Sequence, residues 1–151
     1  MSRRLLAAAL AAIIVGLQPY SVGATAPVAP PPAAAELTPE QRMESRHPQP
    51  VKVGDLLGLP VLDFDDRTLG NVSSVVRTAD GKIRLIVRYG GFLGFGRRPV
   101  AVPIEVVAIA GRQIAALDMT RAEFDTAPTW ADAASQSLAA SETIRIGLYR
   151  R

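Results

Sequence analysis

The residues that invite a chemical reading are few. Gly90-Gly91-Phe92-Leu93-Gly94-Phe95-Gly96 spaces its glycines closely enough to expose backbone amides to an anion. The string lacks the lysine and serine/threonine ending of a phosphate loop, no helical pattern follows it, and Pro99 removes an amide. Its glycines therefore read as a loop or bulge that satisfies backbone geometry. The informative residues stand between and after them: Phe92, Leu93, Phe95, Arg97 and Arg98. Aromatic, apolar and arginine side chains together are favoured at protein interfaces. Folded inward, the apolar residues plug a core; folded outward, they form an arginine-rimmed patch.

Other candidates carry less. Asp63, Asp65 and Asp66 resemble a cation-binding run, but an EF-hand loop needs a central glycine and a distant glutamate. They read as a solvated turn. His47 is the single histidine and cysteine is absent, so the residues of a zinc site are lacking. Set between Arg46 and Pro48, it reads as a solvent-exposed residue without the fixed partner that acid–base work requires. Ser73 and Ser74 lie in a strand-like run with no triad signature around them. No catalytic residue, metal or cofactor is implied. A non-enzymatic chain is the expectation.

The composition narrows the class further. Met1–Arg4 carries two arginines and Leu5–Leu17 is an unbroken apolar run, followed by Gln18-Pro19 and Val22-Gly23-Ala24. A basic start, a short apolar stretch and small residues before the cut describe a secretory signal. Cleavage is predicted after Ala24, placing the chain in the periplasm or outside the cell, with an uncleaved N-terminal anchor as the alternative. Without Arg3 and Arg4 the formal charge falls from +3 to about +1. That is too small for the clustered basic face of a nucleic-acid binder. With no cysteine the domain has no disulfide staples.

Residues 25–50 begin with TAPVAPPPAAA and keep prolines at 39, 48 and 50, which predicts a mostly disordered tether. Within it, Thr38 and Gln41 have capping-box spacing for a short helix. From Val51 short β-rich runs alternate with turn residues, the pattern of a small barrel or sandwich. Asp80-Gly81 joins two such runs, 70–78 and 82–89, into a hairpin. An earlier hairpin joins Val61–Phe64 to Leu69–Val76. Pro99–Ile104 is a strand whose Pro103 belongs at an edge or bend. Glu105–Ala110 and Gln113–Met119 form the last pair. Thr120–Glu123 opens a short helix, Trp130 reads as a lid, Trp130–Ser141 as a weak helix, and Ser141–Arg151 as strand-like: a frayed tail, an added strand or an edge-pairing segment.

This order of elements, with Val53-Gly54-Asp55-Leu56-Leu57-Gly58, Pro60-Val61, Gly70-Asn71-Val72, Asp80-Gly81-Lys82, Gly90–Gly96 and Val100-Ala101-Val102-Pro103, resembles a PRC-barrel domain over about residues 51–128. The resemblance implies an all-β fold: a small antiparallel barrel of about six strands with a short closing helix, between flexible termini and before a C-terminal tail at 129–151. It also implies a module for interaction or assembly. The expected partner is an unidentified envelope protein or a second copy. The alternative is a ligand or polyanion/RNA-binding face built from Arg84, Arg88, Arg97 and Arg98.

Overall fold

The computed structural model describes residues 37–91, 96–131 and 134–150. The signal and residues 25–36 of the tether lie outside the described residues.

The two capping boxes close as their spacing requires. Thr38 caps helix α1 (Pro39–Ser45) and Thr120 caps helix α3 (Arg121–Thr126), with Gln41 and Glu123 bonding back to the cap backbone. Strand β1 (Gln49–Lys52) leads into a single helical turn, α2 (Val53–Leu56). Val53 and Leu56, one face of that turn, are fully buried. Strands β2 (Pro60–Leu62), β3 (Thr68–Arg77), β4 (Ile83–Tyr89) and β5 (Arg98–Pro103) follow as antiparallel neighbours. A 3-10 turn at Ile104–Val106 absorbs the Pro103 bend before β6 (Val107–Ala110) and β7 (Gln113–Ala116). After α3 come a two-residue strand β8 (Gln136–Ser137) and strand β9 (Thr143–Leu148).

Among the described residues the sheet has nine strands in the order β1-β9-β6-β7-β2-β3-β4-β5, with β8 beside β3. It differs from the expected antiparallel six-stranded barrel in three respects. It is larger, it is open between β1 and β5, and it is mixed: β2 pairs with β7, and β6 with β9, in parallel. Turn signals report only chain neighbours, which pair antiparallel. Parallel partners are distant in the chain and leave no local mark.

Period-two burial explains the core. Leu85 and Val87 on β4, Val100 and Val102 on β5, Ile114 on β7 and Ile146 on β9 are all fully enclosed. They converge with Phe124 of α3 in one cluster. Every buried side chain among the described residues is apolar. Val76 and Ile86 are buried outside that cluster, which accounts for Ile86 breaking the alternation of β4.

The flanks are more ordered than expected. α1 and β1 occupy the second half of the stretch read as a tether, and β1 pairs with β9. Arg46 fixes this junction: its guanidinium donates to Asp118 at 2.6 Å and to the Glu105 carbonyl at 3.3 Å, while its own carbonyl accepts from Leu148 N–H. The strand-like end is therefore an added strand of the sheet, with Ile144 and Ile146 in the core. The weak helix expected at 130–141 is not formed in the described part of that stretch, which holds turns and β8. Leu138 packs on the core there, and its amide donates to Val75 O at 2.9 Å.

Candidate functional site

Tyr89 ends β4 and Arg98 opens β5, and the two are partners in register, so residues 90–97 connect a hairpin. Gly90, Gly91 and Gly96 have φ of 72°, 87° and 74°. Side chains are strained in that region, so these glycines serve backbone geometry. Phe92, Leu93 and Phe95 lie outside the described residues. Arg97 is exposed.

Arg98 has a different role from the one its neighbours suggested. In β5 it shares the inward face with Val100 and Val102, and its guanidinium lies 5.4 Å from the Tyr89 ring centroid. Nη2 donates to the carbonyls of Phe124 and Asp125, and Nη1 to that of Ala127. Those carbonyls belong to the C-terminal end of α3, where a helix leaves acceptors unpaired and its dipole attracts a cation. Arg98 therefore anchors the closing helix, an intramolecular role that its reading as an interaction residue did not foresee. It also divides the arginine face: Arg84 and Arg88 project from the opposite side of β4, so the four do not form one surface.

Tyr89 completes the anchor. Its ring lies 5.3 Å from that of Phe124, and its hydroxyl donates to Asp125 Oδ1. Burial pushes the phenol above its ordinary value of 10, and the Asp125 hydrogen bond and charge push the same way. The fold thus favours the neutral phenol. Its contribution is complete below pH 10 and is lost as pH rises through the higher folded value. The stability advantage of wild type over Tyr89→Phe is expected to shrink between about pH 8 and about pH 11, measured by urea midpoints. A gap that stays constant would remove the Asp125 bond from the account.

The acidic run proves to be a tightly held turn. Asp63 Oδ1 accepts from the amides of Asp65 and Arg67 at 3.0 and 2.9 Å, and Asp63 N–H donates to Arg67 O at 3.0 Å. Asp66 takes φ 59°, which aspartate tolerates better than most residues. The turn is solvated at Asp65, 71% exposed, but not at Asp63, whose side chain is 10% exposed and whose carboxylate also lies 3.9 Å from the Arg121 guanidinium. Phe64, at the tip of the turn, is 65% exposed, the most exposed large apolar side chain described. Tyr149, 38% exposed, lies across a cleft of about 30 Å³ whose walls include Leu62, Asp66, Ala110 and Leu117. That volume holds about one water molecule, too little for an organic ligand. Sequence reading missed this surface. The available signal was a phenylalanine inside an aspartate-rich turn, where no core could claim it.

The remaining candidates find ordinary roles. Ser73 is the extra residue of a bulge in β3, and its hydroxyl donates to Ile86 O at 2.9 Å. His47 is exposed with φ 50°. Trp130 is half-buried, and its amide donates to Pro99 O at 2.7 Å. No group of three His, Cys, Asp or Glu residues gathers to hold a metal among the described residues. Nor is any described helix long and apolar enough to cross a membrane.

Residues 51–120 match the family model of the PRC-barrel domain, and that stretch of the chain is a PRC-barrel domain. The match takes in α2 and strands β2 to β7; α3, β8 and β9 extend the sheet and its lid beyond it. No curated protein matches the chain.

Proposed function

We propose that this chain is an exported, non-catalytic PRC-barrel protein that serves as an interaction or assembly module in the cell envelope. The carrying observation is the Phe64–Tyr149 surface. Two exposed aromatic side chains share one cleft, a composition enriched at interfaces, and Phe64 sits on a turn braced by its own aspartate. Such preorganisation lowers the ordering cost of binding. The reading keeps Phe92, Leu93, Phe95 and Arg97 as a second possible contact, since they share one glycine-bounded connection. The basic start and apolar run of residues 1–17 support export.

The test is photo-cross-linking of the full chain in the cells that make it, with the photoreactive residue at position 64, 92 or 136. A discrete adduct from 64 or 92, absent from the exposed strand position 136, is the expected result. If all three positions give only the uncross-linked chain, the module reading is wrong. N-terminal sequencing of the recovered protein tests export, with Thr25 as the expected first residue.

A further inference from the structure

Whatever covers the aromatic surface must bind through side chains, because the open sheet offers little backbone. At the β5 end, Pro99 O accepts from Trp130 N–H, so it points away from β4. Residues of like parity point the same way. The outward edge is thus Pro99, Ala101 and Pro103, of which only Ala101 retains an N–H. At the other end, β1 is four residues long and contains Pro50 and Lys52. Proline, lysine and short length each discourage a further strand. Addition of a partner strand is disfavoured at both edges.

The charges around the aromatic pair indicate what fits there. At one end of the cleft stands the turn with Asp65 and Asp66, which outnumber its one arginine. Asp65, 71% exposed, pairs with the similarly exposed Arg67 at 3.4 Å, a contact weak enough to be exchanged for one across an interface. The opposite end is set by register. β6 and β9 run parallel with Ile109 beside Leu148, and Tyr149 N–H donates to Ile109 O at 2.8 Å. This brings Arg150 towards the β6–β7 turn, where Arg112 lies between the cleft residues Ala110 and Gln113. Both arginines are exposed. The surface therefore runs acid, aromatic, aromatic, base. A two-fold axis through its centre lays the acidic turn of one copy on the arginines of the other, and stacks the apolar middle on itself. Such self-complementarity is what an isologous interface requires.

We propose that the Phe64–Tyr149 surface joins two copies of this chain in an antiparallel, two-fold dimer, with Asp65 of each copy facing Arg112 and Arg150 of the other. The proposal rests on the module reading above and names its partner. Two aromatic and three charged side chains per copy are far fewer than the roughly 20–30 residues a side of a standard interface, so the dimer is expected to be weak and concentration-dependent.

The chain contains no cysteine, which makes single cysteines clean reporters. Two differently tagged full-length copies are produced together, one Asp65→Cys and the other Arg112→Cys, and oxidised. A mixed disulfide dimer is expected, whereas Asp65→Cys paired with Gln136→Cys gives none. Charge exchange supplies a second reading free of disulfide geometry. Asp65→Arg copies are expected to lose co-purification with one another about tenfold or more, and to regain it with Arg112→Glu/Arg150→Glu copies. The proposal is overturned if neither the mixed disulfide nor the charge rescue appears. Equal linkage through position 136, or linkage of two Asp65→Cys copies in preference to the mixed pair, overturns it as well. A photo-adduct from position 64 of a mass other than the dimer, with no mixed disulfide, overturns the second copy while leaving the module reading intact.

Discussion

Replacing Arg98 by methionine is expected to lower the stability of the domain by about 2 kcal/mol, because a charged donor is lost and the part-buried carbonyls of Phe124 and Ala127 are left without it, while that of Asp125 can turn to water. The side chain bonds to Phe124, Asp125 and Ala127 and covers the Tyr89 ring. Methionine preserves much of the packing volume, so the change reports the fork and not a cavity. Arg98→Lys retains the charge, yet a single ammonium lacks the two-nitrogen fork that bonds Phe124, Asp125 and Ala127, and it should recover less than half of the loss. Urea denaturation of the three proteins measures this. If methionine costs no more than an exposed substitution, the anchor reading fails. Association through Phe64 should persist in Arg98→Lys under conditions where that protein is folded.

Gly70→Ala is expected to cost about 3 kcal/mol or more, at the upper end of overpacking effects. A Cβ at this position would lie 2.2 Å from the Arg88 carbonyl oxygen, 2.8 Å from its carbon and 3.0 Å from Val87 Cγ1. Two of those atoms are backbone of the neighbouring strand, which cannot rotate aside as a side chain would. β3 and β4 must separate where Gly70 faces Tyr89, the residue that carries the helix anchor. The thermal midpoint should fall by more than about 10 °C for a domain of this size. Normal stability in Gly70→Ala would mean that the strands accommodate the methyl group by a shift of about an ångström, and the close approach would lose its significance. The two substitutions share the Tyr89 end of the domain, so their costs are expected not to add.

Local devices were legible in the residues. The spacing Thr38–Gln41 and Thr120–Glu123 announced two helix starts, and both capping boxes close. The alternation Ile83, Leu85, Val87, Tyr89 announced β4 and its inward face, and Asp80-Gly81 the turn before it. Gly70, picked out as part of a family-like string, turned out to mark a backbone contact. Each of these depends on residues within a few positions of one another. Burial of a side chain follows from its period, and a cap needs only a hydroxyl and an amide three residues apart.

What escaped reading was long-range. Arg97 and Arg98 are indistinguishable as letters, but strand parity sends one to solvent and the other onto a helix that begins 23 positions later. Phe64 and Tyr149 meet only because β2 and β9 are placed on either side of β6 and β7. Arg46 finds Asp118 across 72 positions. Such pairings depend on which strands lie side by side, and non-local order is bought by the whole core at once rather than by any segment. By itself, therefore, the amino-acid sequence determined the β-rich class, the caps, the main hairpins and the family to which residues 51–120 correspond. Tertiary structure alone decided the open mixed sheet, the inward role of Arg98 and the exposed aromatic surface. The first set is written in short-range periodicity; the second exists only once distant segments share a core.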